Sequence, residues 1–314
     1  MNRSQESEAR IKQGDVVMQR REFLLSTLAL GTLTGVNLPV HAIDPIARKG
    51  GPNLKPSIAA YSYRDYLTGK KKPNMTLENF VDLAAEMNLP AVELTSYYFK
   101  DTSNGYLAKL KGRCSRLGLD VSGGAVGNKF TEPDPAKLKE EIRKTKEWTE
   151  RYSRLGAKTM RIFAGNAVKD EAIEVTRKRC MEAIMEVCDH ASQFGVYMAL
   201  ENHGGIVATA EQTLAIVKAI KHDWFGVNLD SGNFRSGDPY EEFAKLAPYA
   251  VTVQIKTEVQ YGGKKKEEAD LARVIKILKD YNYQGYVALE YEAPAEPMTA
   301  IPGHIKTLKA LCAG

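Results

Sequence analysis

From Ser57 onward, short apolar runs alternate with longer amphipathic stretches. Short runs rich in β-branched and aromatic residues suit buried strands, whereas apolar positions recurring every three or four residues suit helices packed on one face. On this pattern residues 57–63 (SIAAYSY), 91–95 (AVELT), 119–126, 159–164 (TMRIFA), 196–202, 225–230 (FGVNLD), 251–258 (VTVQIKTE) and 285–291 (GYVALEY) are predicted strands. Helices are predicted over 76–87, 106–117, 135–155, 169–194, 209–220, 240–246, 268–281 and 298–311. Thr76 can cap the first of these, Pro135 can open the third, and Gly118, Gly156 and Gly195 can close three of them. Strict alternation of strand and helix implies parallel strands joined by crossover helices. Eight such units close most simply as an α/β (β/α)8 TIM barrel, a single domain over residues 43–314. An open doubly wound sheet is the competing arrangement, but no GxGxxG follows the first strand.

Residues 1–42 are set apart as a targeting segment. Arg20, Arg21, Phe23 and Leu24 precede a modestly apolar stretch, and Val40-His41-Ala42 has the small-x-small form of a signal-cleavage site. This resembles a twin-arginine signal, which implies a protein exported already folded, with residence in the periplasm as the expectation drawn from it. The stretch is short and diluted by Ser, Thr and Gly, so no stable membrane span is expected after cleavage.

Composition changes the picture little. The 314 residues carry 44 basic and 39 acidic side chains, a net charge of +5 that is too mild and too mixed for a nucleic-acid partner. The basic runs Lys70-Lys71-Lys72 and Lys264-Lys265-Lys266 read as solvated loop tips. The four cysteines lack zinc-ligand spacing. Cys180 and Cys188 share a predicted helix, where eight residues rise about 12 Å, too far for a disulfide, so free thiols are expected.

The chemistry lies at the strand ends, where a barrel of this kind builds its active site. Glu201 and His203, two apart in MALENHG, are expected on one side of the fifth strand. The sixth ends with Asn228 and Asp230, the seventh with Gln254, Lys256 and Glu258, and the eighth with Glu290 and Glu292; the fourth carries Arg161. Burying so many charges without partners would cost several kcal/mol each. A divalent cation among Glu201, Asp230 and Glu290 would cancel much of that. Glu93 is expected to be a buried structural partner. Tyr61, Tyr63, Tyr97, Tyr98 and Phe234 can equally wall the pocket or pack the core.

Over residues 57–312 these strand ends resemble the xylose isomerase-like (β/α)8 proteins. The resemblance implies a divalent metal held by Glu201, Asp230, Glu290 and the residue at a histidine position on the seventh strand, filled here by Gln254. It implies that Lys256 is the family lysine two residues later, that His203 belongs to an ExH form, and that Arg161 contacts substrate. Asn233, three after Asp230, stands where many relatives have a histidine and is expected to touch substrate. A carboxamide ligand would favour Mn²⁺, with Mg²⁺, Co²⁺ or Zn²⁺ also able to serve, and loss of the second histidine disfavours a multi-metal nuclease.

The function so implied is a metal-dependent sugar isomerase or epimerase that removes a proton next to a carbonyl of an unphosphorylated sugar or keto-sugar. Glu201 and Glu290 would take and return the proton, with Lys256 and His203 steadying the enediolate or serving as acid. The same site could run a β-elimination as a dehydratase or lyase. A non-catalytic sugar-binding barrel with a retired metal site is the reading from another class. Small carbohydrates are the expected partners, and an oligomer is possible.

Overall fold

The computed structural model describes residues 44–262 and 264–314. The predicted targeting segment, residues 1–42, lies outside them. Eight parallel strands, β1 (Asn53–Ala59), β2 (Ala91–Thr95), β3 (Asp120–Ala125), β4 (Thr159–Ile162), β5 (Tyr197–Glu201), β6 (Phe225–Asp230), β7 (Ala250–Ile255) and β8 (Gln284–Leu289), close into a barrel in the order β1-β8-β7-β6-β5-β4-β3-β2. The helices that return the chain are α1 (Leu77–Glu86), α2 (Asn104–Arg116), α3 (Pro135–Leu155), α4 (Ile173–Ser192), α5 (Ala210–Val217), α6 (Pro239–Leu246), α7 (Leu271–Asp280) and α8 (Pro297–Ala313). The predicted (β/α)8 architecture is therefore the observed one, with each strand followed by its helix.

Local chemistry explains the boundaries. Thr76 and Thr209 each form a capping box with Asn79 and Gln212 at the starts of α1 and α5. Asp134 and Asp238 cap α3 and α6 just ahead of a proline, and Gly156 ends α3 in the left-handed region. The strand predicted over 57–63 is displaced: pairing runs from Asn53 to Ala59, and residues Ala60–Tyr63 turn into a 3-10 helix. Ser62 holds that turn against the end of β8, its Oγ donating to Leu289 O at 3.0 Å and accepting from Tyr291 N at 2.9 Å. Likewise β7 stops at Ile255, and Glu258–Val259 pairs antiparallel with Glu267–Glu268 as a flap on the following loop.

Apolar residues of alternate parity, such as Leu94, Met160, Leu200, Leu229, Ile255 and Leu289, are fully buried beneath the helices. Tyr152 of α3 ties that layer to the barrel. Its hydroxyl lies 2.8 Å from Leu94 O and 3.0 Å from Ala125 O, bridging the ends of β2 and β3. A Cβ at residue 124 would fall 2.4 Å from the tyrosine ring, so Gly124 is what lets the ring in. Tyr152→Phe should keep the packing and lose the bridge, lowering the unfolding free energy by about 1–2 kcal/mol in urea titrations. An unchanged midpoint would show that the hydroxyl adds nothing.

All four cysteines are free, three of them buried, as expected. Burial pushes the Cys114 thiol up to about 11, which leaves it inert at neutral pH. Among the described residues no helix is long and apolar enough to cross a membrane.

Candidate active site

The C-terminal ends of β4 to β8 are brought into line by backbone pairing that continues just past the strands. Asp230 is in register with Gln254, and Ile255 with Leu289. Ser231 N donates to Gln254 O at 3.1 Å, and Glu290 N donates to Ile255 O at 2.8 Å. Asn202 clips β5 to β6: its Nδ2 donates to Asp230 O and its Oδ1 accepts from Asp230 N, both at 2.9 Å. Alternation then aims Asn228 and Asp230, and Gln254 and Lys256, to the inside. Arg161, Glu201, Asp230, Lys256 and Glu290 are all buried, with 6% or less of their surface exposed.

Two clusters result. In the first, Lys256 Nζ lies 2.6 Å from Glu290 Oε2, 3.1 Å from Glu292 Oε1 and 3.2 Å from Asp230 Oδ2. The Asp230 contact is off the hydrogen-bonding direction, so that oxygen is buried without a hydrogen bond; its Oδ1 accepts from Gly232 N at 2.8 Å. Gly232 is needed for the lysine's path, since a Cβ there would lie 2.7 Å from Lys256 Cβ and 2.8 Å from Glu258 O. In the second cluster, Glu201 accepts from Asn233 Nδ2 at 2.6 Å and lies 3.1 Å from Arg161 Nε. Arg161 is itself fixed by Val126 O at 3.0 Å and by the Phe163 ring, 3.8 Å from the guanidinium carbon.

Gln254 is engaged at both ends. Its Oε1 accepts from Asn228 Nδ2 at 2.7 Å, and its Nε2 donates to Glu93 Oε1 at 2.6 Å. Glu93, two per cent exposed on β2, is thus the structural partner expected of it.

Electrostatics separates the acids. Burial pushes Glu93 up to about 8, helped by the Glu290 charge and opposed by the Gln254 bond. Burial also raises Glu201 above the ordinary carboxylate range, against the pull of Arg161. Asp230 is raised well above it by burial, against the Lys256 ammonium. Burial works to raise Glu290 too, but the ammonium and its hydrogen bond override it and hold this carboxylate below the range. Lys256 stays firmly charged: burial acts to lower it, and Asp230 and Glu290 more than compensate. The site therefore contains a basic carboxylate, a carboxyl inclined to hold a proton and an ionised acid against a fixed cation.

A divalent ion on Glu201, Asp230, Gln254 and Glu290 does not fit this arrangement. Two of the three acids already share the Lys256 ammonium, Glu201 is engaged by Arg161 and Asn233, and Gln254 Oε1 already accepts from Asn228. Among the described residues, no three acidic, histidine or cysteine side chains form a group able to hold a metal. The four-ligand set expected from the sequence is not assembled.

His203 differs from expectation as well. β5 ends at Glu201 and Asn202 turns its side chain onto β6, so the two-residue alternation stops and His203 is carried to the exposed rim, its ring 4.5 Å from that of Phe163. Of the aromatic residues, Tyr63 and Phe234 are core, whereas Tyr97 is exposed and Tyr61 half-buried. Sequence reasoning missed the positioning work of Asn202 and Gly232. Asn228 was visible by parity with Asp230 but had no assigned partner.

A cavity of about 880 Å³ opens at the opposite, N-terminal end of the barrel, against Arg48, Lys55, Lys158, Tyr197 and His222. It holds none of the converging acids, and the chemistry is therefore placed at the strand C-termini.

Comparison with known proteins agrees with the fold. A family model described as xylose isomerase-like TIM barrel matches residues 81–311. No curated protein matches the sequence. Among solved structures, a xylose isomerase domain protein from Planctomyces limnophilus superposes with a TM-score of 0.65 at 15% identity, covering 84% of this chain and 98% of that one. The IolI protein, solved with a bound zinc atom, gives 0.66 at 21% identity over 82% and 96%. D-psicose 3-epimerase from Clostridium cellulolyticum H10, solved with D-tagatose, gives 0.61 at 16% identity over 83% and 92%. At these identities the likeness is one of fold.

Proposed function

This chain belongs to the xylose isomerase-like TIM barrel family, and from that premise we propose that it is a sugar isomerase or epimerase acting by proton transfer next to a carbonyl. The observation that carries the reading is the convergence of three buried acids, Glu201, Asp230 and Glu290, at the strand ends beside the Arg161 and Lys256 cations; burial raises Glu201 and Asp230, and Lys256 holds Glu290 low. The sugar epimerases among the fold relatives point to the substrate class.

Glu201 takes the proton from the carbon beside the carbonyl. The C–H electron pair moves into the carbon–carbon bond and the carbonyl pair onto oxygen, giving an enediolate. The neighbouring Asp230 carboxyl, inclined to keep a proton, returns one, either to the opposite face, which inverts the centre, or to the adjacent carbon after the hydroxyl proton has moved, which relocates the carbonyl, while Glu290 stays ionised on Lys256. Arg161 and Asn233 hold Glu201 in place, and half-exposed Tyr61 and exposed His203 offer groups for sugar hydroxyls. If the β carbon carries a leaving group, the same enediolate expels it, giving elimination. The leader at 1–42 supports an exported enzyme and hence an unphosphorylated sugar.

The test is a chromatographic screen of ketoses and keto-glycosides, with Glu290→Gln as the blank. The reading expects conversion of at least one sugar by the wild type, reduced to background in the blank. Tight sugar binding without conversion would favour a non-catalytic barrel instead. Positioning can be probed separately: Gly232→Ala, by crowding the Lys256 stem, should cut kcat about tenfold to a hundredfold with a smaller change in KM. Equal losses in both would point to general damage.

A further inference from the structure

We propose that Lys256 is the resident cation of this site, its ammonium standing where a divalent ion would otherwise draw the strand-end acids together. The proposal rests on the site reading above but not on any particular reaction. An ammonium has three N–H donors and no acceptor. Lys256 Nζ donates to Glu290 Oε2 at 2.6 Å and forms ion pairs, without a hydrogen bond, with Glu292 Oε1 at 3.1 Å and Asp230 Oδ2 at 3.2 Å. Its charge is supplied by the chain itself and is always present.

Three further features follow the same logic. Gln254, at a position where a neutral nitrogen ligand would face the acids, is turned away into the Asn228–Gln254–Glu93 chain. Asn233 donates an N–H to Glu201, which a metal-bound carboxylate oxygen would not require. Gly232 keeps the groove through which the lysine stem reaches the acids, with Cβ and Cδ both 2.7 Å from where a methyl would sit. A cation needing carboxylate oxygens at about 2.0–2.2 Å would have to displace the ammonium and break the bonds of Glu201. The consequence for substrates is that an ammonium, unlike a divalent ion, does not need two adjacent substrate oxygens as ligands. A sugar whose neighbouring hydroxyl is substituted, and so cannot chelate an ion, remains acceptable.

The experiment measures metal uptake. Full-length purified protein is stripped with EDTA, then titrated with Mn²⁺ and with Zn²⁺ by calorimetry, elemental analysis and thermal melting. The wild type is expected to bind neither ion stoichiometrically and to keep its Tm. Uptake of about one ion per chain, with the Tm rise of roughly 5–10 °C that a site filled at a hundredfold its Kd would give, would overturn the proposal. The double variant Gln254→His/Lys256→Met removes the internal cation and offers an imidazole, and is expected to gain Mn²⁺ binding. If that variant folds, as judged by circular dichroism, and still refuses the ion, the proposal also fails. The wild-type titration stands alone if the variant does not fold. Conversion of a sugar by metal-binding wild type would reject the lysine proposal and keep the isomerase reading; a metal-free wild type that converts no sugar would do the reverse.

Discussion

Lys256→Met is expected to lower the unfolding free energy by about 3–5 kcal/mol, because it leaves Asp230 and Glu290 buried without their cation. It should also reduce turnover by about tenfold to a hundredfold, because Asp230 and Glu290 lose the cation that positions them. Methionine matches the lysine stem closely, so packing alone predicts a small effect. The pH dependence separates the causes. Unpaired carboxylates can be neutralised by protonation, so the stability gap to wild type should shrink as pH falls. A packing defect would leave it constant. Denaturant titrations of both proteins at several pH values provide the check.

Glu93→Gln should have an effect of similar size and opposite sign above pH 8. The native Glu93 holds its proton up to about 8, from a reference of 4.5. Between these values the folded state binds a proton that the unfolded state has lost, so stability falls as pH rises through the window. Its contribution is complete below the unfolded value and gone once pH passes the folded one. At ~1.4 kcal/mol per unit over the window from 4.5 to about 8, the swing is about 5 kcal/mol. Glutamine keeps an oxygen for Gln254 Nε2 and cannot ionise. The variant should therefore lack this slope and be the more stable protein in alkaline buffer. Parallel pH profiles for the two would show that Glu93 is ionised throughout.

The barrel was legible because most of its strands are buried on both faces and its helices on one, and those two periods are written directly in the residues. The converging acids were legible for a related reason. Glu201, Asp230 and Glu290 close apolar runs, and in a parallel barrel all strand ends of one sense face the same way. What pattern could not supply was the partner of each group. Lys256 reaches Asp230 and Glu290 only because Gly232 clears its path, a steric fact with no period. Gln254 looked like a weakened ligand because its hydrogen bonds to Asn228 and Glu93 cross from β6 and β2, far apart in the chain. His203 lies on the exposed rim rather than on the strand face because β5 ends two residues before it, at Glu201. The start of β1 was missed since Asn53, Lys55 and Pro56 dilute its apolar character, and its pairing with β8 comes from closure of the barrel.

The most direct measurement is conversion of a ketose in D₂O, followed by mass spectrometry and proton NMR. Proton transfer through Glu201 and Asp230 predicts one deuterium at the carbon beside the carbonyl in the product. Glu201→Gln should give none. A product formed at full rate with its original hydrogen retained would contradict the account, because the carboxylates could not then be exchanging that hydrogen with solvent.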